Sequence, residues 1–186
     1  MQRLLLPCLA LLPLVSCKAL SGNTPDEKRD EIDRVTSQIL DRLYVESPSA
    51  KGQIENAVGY GVFTNYSTKV FFLSAGNGYG QVTANESGDR TYMRVAEVGA
   101  GLGLGVRDFS VVFVFETDEA LERFVDVGWN VGGSADAAAT YEGDGAELSG
   151  GAIVAPGVLA YQMTDNGLAL SATISGTRYW VDAELN

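Results

Sequence analysis

Few side chains in this sequence could carry out chemistry, because the chain of 186 residues has no histidine and only two cysteines, Cys8 and Cys17. Without an imidazole, Ser-His-Asp and Cys-His catalysis and histidine-rich zinc sites are excluded. An enzyme would need paired carboxylates, a Ser-Lys pair or a metal site built from oxygen ligands. These are the only chemistries that the residue types leave open.

The densest group of carboxylates lies in a glycine-rich segment and consists of Asp136, Glu142, Asp144 and Glu147. A calcium-binding EF-hand loop needs alternating Asp or Asn ligands followed by a bidentate Glu, and that spacing is absent here. We interpret the segment as a solvated loop. The sequence therefore predicts a protein that is not an enzyme and that holds no metal and no cofactor.

The N-terminal residues resemble a bacterial lipoprotein signal. Arg3 precedes an apolar run that is too short to span a bilayer, and a Leu-Val-Ser-Cys sequence ends at Cys17. In this motif, the lipobox, the cysteine becomes the first mature residue and carries acyl chains such as palmitate. We expect residues 1–16 to be a signal peptide, residues 17–23 a lipidated tether and residues 24–186 a single domain. The alternative is a buried apolar helix that contains Cys17.

Lipidation at Cys17 would place the protein in the bacterial cell envelope. Several acyl chains on one residue hold a protein firmly at a bilayer, at about 0.8 kcal/mol per buried methylene. Lys18, rather than Asp, follows the cysteine, which in such lipoproteins favours the outer membrane, facing the periplasm. Since Cys8 leaves with the signal, no free thiol is expected in the folded part.

The charge of the chain argues against nucleic acid as a partner. There are 24 Asp and Glu against 13 Lys and Arg, for a formal charge of -11, whereas nucleic-acid affinity depends on cations that neutralise phosphates. Removal of the signal leaves 12 basic against 24 acidic residues, a charge of -12. If Lys69, Arg94 and Arg107 of the predicted sheet converge in space, they form a site for an anionic head group.

The spacing of apolar residues predicts a β-rich domain with two helices. Thr24 and Glu27 have capping-box spacing, and apolar residues recur every three or four positions to about Tyr44, until Pro48 stops the helix. Thr117 is placed to cap a second, short helix. Alternating patterns predict strands at 57–63, 69–75, 79–84, 91–97, 101–106, 110–115, 157–163, 167–174 and 177–182, with turn signals that include 65–68, 85–90 and 107–108.

Glycine is unusually frequent, at 22 residues, and two runs stand out at residues 76–80 and 99–105. Neither run has the spacing of a phosphate-binding loop. In the second run glycine alternates with apolar residues, so one face of the strand has no side chains and a backbone or an acyl chain can approach it. We expect a strongly curved or barrel-like sheet of mainly antiparallel strands in an α+β domain, with Tyr79, Gly101 and Gly103 as candidate lipid contacts.

An ordered series of motifs runs from about Glu55 to the C-terminus, at residues 57–63, 98–103, 111–118, 131–138, 158–161 and 167–172. This series resembles the SYLF lipid-binding family, whose eukaryotic members also bundle actin. The resemblance implies a β-rich, barrel-like domain that binds phospholipid and does no covalent chemistry. Because the polar face of the first helix is rich in Asp and Glu, phosphoinositide and actin binding are not expected here.

Two functions stay open. In the first, a membrane-anchored envelope lipoprotein binds phospholipid or an acyl chain, with Lys69, Arg94, Arg107, Tyr79, Gly101 and Gly103 as candidate contacts. In the second, a structural or adaptor lipoprotein has no lipid ligand and docks a protein partner of the envelope through its acidic face. An apolar slot bordered by these cations would favour the first function. A filled core with only an acidic exterior would favour the second.

Overall fold

A computed structural model of this chain describes residues 20–131, 151–164, 167–169 and 176–186, with side chains excepted at 68–74, 98–107, 130–131 and 169. In this part of the chain the elements are α1 (Pro25–Glu46), α2 (Pro48–Asn56), β1 (Gly59–Ala84), β2 (Arg90–Phe115), α3 (Asp118–Asp126), β3 (Trp129–Val131), β4 (Ala152–Ala155), β5 (Val158–Thr164), β6 (Gly167–Ala169) and β7 (Thr177–Val181). Of these, β3, β4 and α2 are not predicted by the sequence patterns.

The strands form one antiparallel sheet in which β2 is central. One edge of β2 pairs with β1, while the other pairs with β7 at residues 93–97 and with β5 at residues 109–115. β3 pairs with the outer edge of β7, and β4 and β6 pair with the outer edge of β5. The predicted α+β class with a mainly antiparallel, curved sheet is confirmed.

Helix α1 begins at the predicted capping box. The Glu27 amide donates to the Thr24 hydroxyl at 3.2 Å, and the Thr24 amide donates to the Glu27 carboxylate at 3.3 Å. The expectation that the first helix stops before Pro48 is confirmed, because α1 ends at Glu46, but Pro48 also opens α2, which is not predicted. Proline has no amide hydrogen and fits the first turn of a helix, so Ser47 alone separates the two helices and Pro48 begins the second.

Strands β1 and β2 form a single hairpin with 26 residues in each strand. The turn predicted within residues 85–90 is confirmed. The turns predicted at 65–68 and 107–108 are wrong, because Asn65 pairs with Phe109 and Ser67 pairs with Arg107 across the hairpin. Residues that favour turns can occupy a strand when the neighbouring strand satisfies their backbone groups.

Strand β1 doubles over on itself. A straight strand of 26 residues would reach about 86 Å at ~3.3 Å per residue. Instead its second half crosses its first half, and a Cβ atom built on Gly78 would lie 1.9 Å from the Thr64 carbonyl oxygen. One built on Gly80 would lie 2.0 Å from the Val62 carbonyl oxygen. Only glycine permits this approach, so the first glycine run lies where the sheet curls.

Aromatic rings fill the inner face of the curled sheet. Ring centroids of neighbouring members lie 4.8 to 6.4 Å apart. Helix α3, whose predicted N-cap Thr117 accepts the Ala120 amide at 3.3 Å, contributes one ring and covers this face. The members of this aromatic cluster are Phe63, Phe113, Phe115, Phe124, Trp129 and Tyr179.

Helices α1 and α2 cover the opposite, outer face. Leu43 of α1 is completely buried in a cluster with Val112 of β2 and Tyr161 of β5. Burying a leucine stabilises a fold by about 1.5–3 kcal/mol. Towards its N-terminus, α1 also buries Ile32 in a cluster with Tyr79 of β1. Helix α1 is therefore fixed against both halves of the hairpin, and the candidate site lies between these two contacts.

Candidate functional site

A groove with a volume of about 290 Å³ lies between α1 and the sheet. Two arginines of α1, Arg34 and Arg42, line it together with two carboxylates, Glu31 and Asp108, and with uncharged polar and apolar side chains. Two other clefts, beside α2 and beside the turn at residues 85–87, have no basic residue in their described lining. The apolar lining of the groove consists of Val35 and Ile39 of α1, Phe109 of β2 and Met163 of β5.

Arg34 is held by neighbours on its own helix. Its Nε and Nη2 atoms donate to the two carboxylate oxygens of Glu31 at 2.8 and 2.7 Å, and its Nη1 atom donates to Gln38 Oε1 at 3.0 Å. The hydrogen bond from Arg34 holds the pKa of the Glu31 carboxyl below its usual value, and the same bond raises the pKa of Arg34. Both groups stay ionised at neutral pH.

Arg42 links α1 to the sheet. Its Nε atom donates to Glu46 Oε1 at 2.7 Å, and its Nη2 atom donates to the carbonyl oxygen of Thr164 at the end of β5. Arg34 and Arg42 are eight positions apart, which is about 12 Å along a helix. The two arginines are exposed, with 54% and 42% of their side-chain surface accessible, whereas Glu31 and Glu46 are half-buried at 22% each, so the guanidiniums can be reached from solvent.

Tyr79, a predicted site residue, also lines the groove, beside Tyr66. The two ring centroids are 6.4 Å apart. Burial raises the pKa of the Tyr79 hydroxyl, and the neighbouring Tyr66, with which it shares a hydrogen bond, raises that pKa further. The phenol is therefore protonated at neutral pH, and its hydroxyl is engaged with Tyr66.

The sequence is similar to a known family and to a known protein. Residues 96–186 match the model of the Ysc84 family, described as "Las17-binding protein actin regulator", which represents the SYLF domain. The chain is 33% identical over 166 residues to "Beta cell expansion factor A" of Aeromonas veronii. Residues 96–186 are thus similar to the SYLF domain. The predicted resemblance is thus confirmed, and the SYLF family is in general a lipid-binding family. The alignment covers 89% of this chain and spans 62% of the relative's length.

Arg94 lies outside the described lining of the groove. It is opposite Tyr79 across the hairpin, but its guanidinium donates to Asp182 at 2.7 Å and to Glu184 at 3.1 Å. The hydrogen bond with Asp182, which is buried, raises the pKa of Arg94. Two carboxylates thus compensate this guanidinium, and the cations of the groove come from α1.

The other predicted lipid contacts lie in the middle of the hairpin. Lys69 pairs with Gly105 and Arg107 pairs with Ser67, so the two residues hold neighbouring positions in the register of β1 and β2. Gly103 pairs with Phe71, and Gly101 lies in the register irregularity next to this pair. The register therefore brings Lys69 and Arg107 together, away from Arg94, and their contact with lipid stays a prediction.

Two predicted features fall outside the described residues, namely Cys17 and the acidic segment with Asp136, Glu142, Asp144 and Glu147. In the described part of the chain, no three Cys, Asp or Glu residues are grouped so that they could hold a metal ion. The helices of that part include none with both the length and the apolar character needed to cross a membrane.

Arg34 and Arg42 are not predicted as site residues by the sequence patterns, because acidic residues outnumber basic ones on α1. The signal that could identify them is their position along the helix. Each lies one or three positions from Val35 or Ile39, the apolar residues that face the sheet. A basic residue that flanks the apolar stripe lies beside the sheet, where it can line a groove.

Proposed function

We propose that this protein is a non-enzymatic, membrane-anchored lipoprotein of the bacterial envelope whose SYLF domain binds phospholipid or an acyl chain. The observation that carries the proposal is the groove between α1 and the sheet, which combines the apolar side chains of its lining with the guanidiniums of Arg34 and Arg42. An acyl chain can pack against the lining. A phosphate can accept charge-assisted hydrogen bonds from the guanidiniums, whose planar fork suits phosphate geometry.

The anchor in this proposal is the acylated Cys17, in the outer membrane and facing the periplasm. The expected mature charge of -12, from 12 basic and 24 acidic residues, repels an anionic surface within a Debye length of about 8–10 Å. Attraction by overall charge therefore does not hold the domain at a membrane. Covalent lipid supplies the attachment, and the groove supplies local recognition.

Co-sedimentation with vesicles tests the groove. The chain from residue 18 onward lacks Cys17 but keeps every residue that the structure describes, and it should sediment with vesicles of phosphatidylcholine and phosphatidylglycerol. The double substitution Arg34→Gln and Arg42→Gln should weaken this binding at least about tenfold, the loss expected when one charge-assisted hydrogen bond is removed.

Arg123→Gln is the matched control, because Arg123 forms an i,i+4 ion pair with Glu119 on α3, as Arg42 does with Glu46 on α1. Its binding should equal that of the unsubstituted chain. Undiminished binding by the double variant would exclude the groove as the site. Absence of binding to any vesicle at low salt would remove the lipid function altogether.

A structural or adaptor role is the second candidate, and the aromatic cluster favours it. Rings occupy the inner face of the sheet in the described part of the chain, so an acyl chain is not accommodated among them. In this case the acidic surface docks an envelope protein. Recovery of one stoichiometric protein partner, together with absence of vesicle binding, would support the adaptor role over the lipid-binding one.

A further inference from the structure

The outward face of β7 exposes a tryptophan. Burial alternates along this strand, with Thr177 and Tyr179 buried and with Arg178 and Trp180 exposed. Trp180 has 36% of its surface exposed, whereas Trp129 stacks on Phe113 in the aromatic cluster. A tryptophan has a large apolar ring with one polar N–H group, so it suits a boundary between an apolar and an aqueous phase.

A second exposed apolar residue lies beside Trp180. Val127, at the end of α3, is 80% exposed. The next residue, Gly128, has a φ of 72° and lies against β7, so that a Cβ atom on it would be 2.4 Å from the Tyr179 carbonyl oxygen and 3.8 Å from the Trp180 Cα atom. Gly128 thus brings the backbone of Val127 close to Trp180 at this edge of the sheet, and the two exposed side chains are referred to below as the apolar patch.

A cation borders this patch. Arg178 is two positions from Trp180 on the same face of β7, and it lies opposite Ala96 and Asn130 in the sheet. It forms no ion pair with the described residues. Arg94, the cross-strand neighbour of Trp180, is by contrast bound to two carboxylates. Among the described residues, Arg178 is thus a positive charge without a carboxylate partner, on a protein with a net charge of -11.

We propose that Val127, Arg178 and Trp180 form the surface through which the SYLF domain contacts the head-group layer of a phospholipid bilayer. The tryptophan ring and the valine enter the boundary between head groups and acyl chains, and the guanidinium binds a lipid phosphate. This inference rests on the proposed lipid-binding function and adds an orientation to it. The β7 side of the domain faces the membrane, through residues that are not part of the groove.

Tryptophan fluorescence tests this surface, because the chain contains only two tryptophans. Trp129→Phe leaves Trp180 as the single emitter, and Trp180→Phe leaves Trp129. With the chain from residue 18 onward and phosphatidylcholine–phosphatidylglycerol vesicles, we expect Trp180 emission to shift to the blue and to be quenched by lipids with brominated acyl chains. Trp129 emission should be unchanged. If Trp129→Phe does not fold, the unsubstituted chain still reports Trp180 as the lipid-quenched fraction.

The same samples are sedimented, so the two proposals can fail separately. Vesicle binding without any change in Trp180 emission would overturn this surface and leave the groove in place. Absence of vesicle binding would overturn both. Arg178→Glu should lower vesicle affinity about tenfold, since it replaces an attraction to phosphate by a repulsion. Arg123→Glu, on α3, is the control for the change in overall charge. An equal loss of vesicle affinity in both variants would contradict a specific contact between Arg178 and lipid phosphate.

Discussion

Two glycines of this domain, Gly78 and Gly52, differ in whether their position leaves space for a side chain. A Cβ atom on Gly78 would lie 1.9 Å from a backbone oxygen of Thr64, whereas nothing lies within 4 Å of a Cβ atom on Gly52. The first glycine is required by the crossing of two backbone segments. The second lies in α2, where glycine is a less stable choice than alanine.

Gly78→Ala should therefore lower the free energy of unfolding by about 3 kcal/mol, because the backbone at Thr64 cannot move away without breaking strand pairs. Gly52→Ala, the matched control, should raise it by about 1 kcal/mol. Urea unfolding followed by circular dichroism measures both values. Equal stability of the two variants would contradict the close crossing within β1.

Among the elements, α1 positions the groove, and its first turn depends on the capping box. Thr24→Ala removes the hydroxyl that accepts the Glu27 amide, and it should cost about 1 kcal/mol of unfolding free energy. Thr24→Ser keeps a hydroxyl at that position and should cost much less. The measurement is the urea concentration at the midpoint of unfolding, compared between variants whose unfolding free energy has the same slope against urea concentration. A similar loss in both variants would show that the side-chain cap is not what stabilises this end.

The elements also show how far the sequence predicts the fold. The capping box and the Thr117 cap are local, so a few adjacent residues suffice to predict where α1 and α3 begin. The length of the hairpin depends on pairing with the partner strand. The residue types at 65–68 predict a turn, and only their pairing with β2 shows that they continue the strand. The groove also depends on residues that are distant in the sequence, because Arg42 and Thr164 come together only in the folded chain. Of the predicted contacts whose side chains the structure describes, Tyr79 lines the groove and Arg94 does not.

At the scale of the whole molecule, the inner aromatic cluster predicts a sensitivity to alkaline pH. Tyr179 is buried in this cluster, and burial raises the pKa of its hydroxyl well above the value of about 10 for an unfolded chain. As pH rises through 10, only the unfolded chain releases this proton. The stability is thus fully present below about pH 10 and is lost above it.

Tyr179→Phe keeps the ring and removes the ionisable hydroxyl. We expect the decline of unfolding free energy above about pH 10 to become shallower, by up to about 1.4 kcal/mol per pH unit. Urea unfolding at a series of alkaline pH values measures this slope. Tyr60→Phe, at a half-buried tyrosine of β1, is the control. An unchanged slope in Tyr179→Phe would show that the buried hydroxyl is not the group responsible.

The crossing of β1 over itself also orders the steps of folding. Pairs beside the turn, such as Thr83 with Arg90, close a short loop, while Gly59 with Phe115 closes the longest loop of the hairpin and costs the most chain entropy. The contact of Gly78 with Thr64 joins two points of one strand, and it requires that strand to bend after its register is set. We therefore expect the hairpin to pair outward from its turn, with the glycine crossing as the late step that closes the curled sheet.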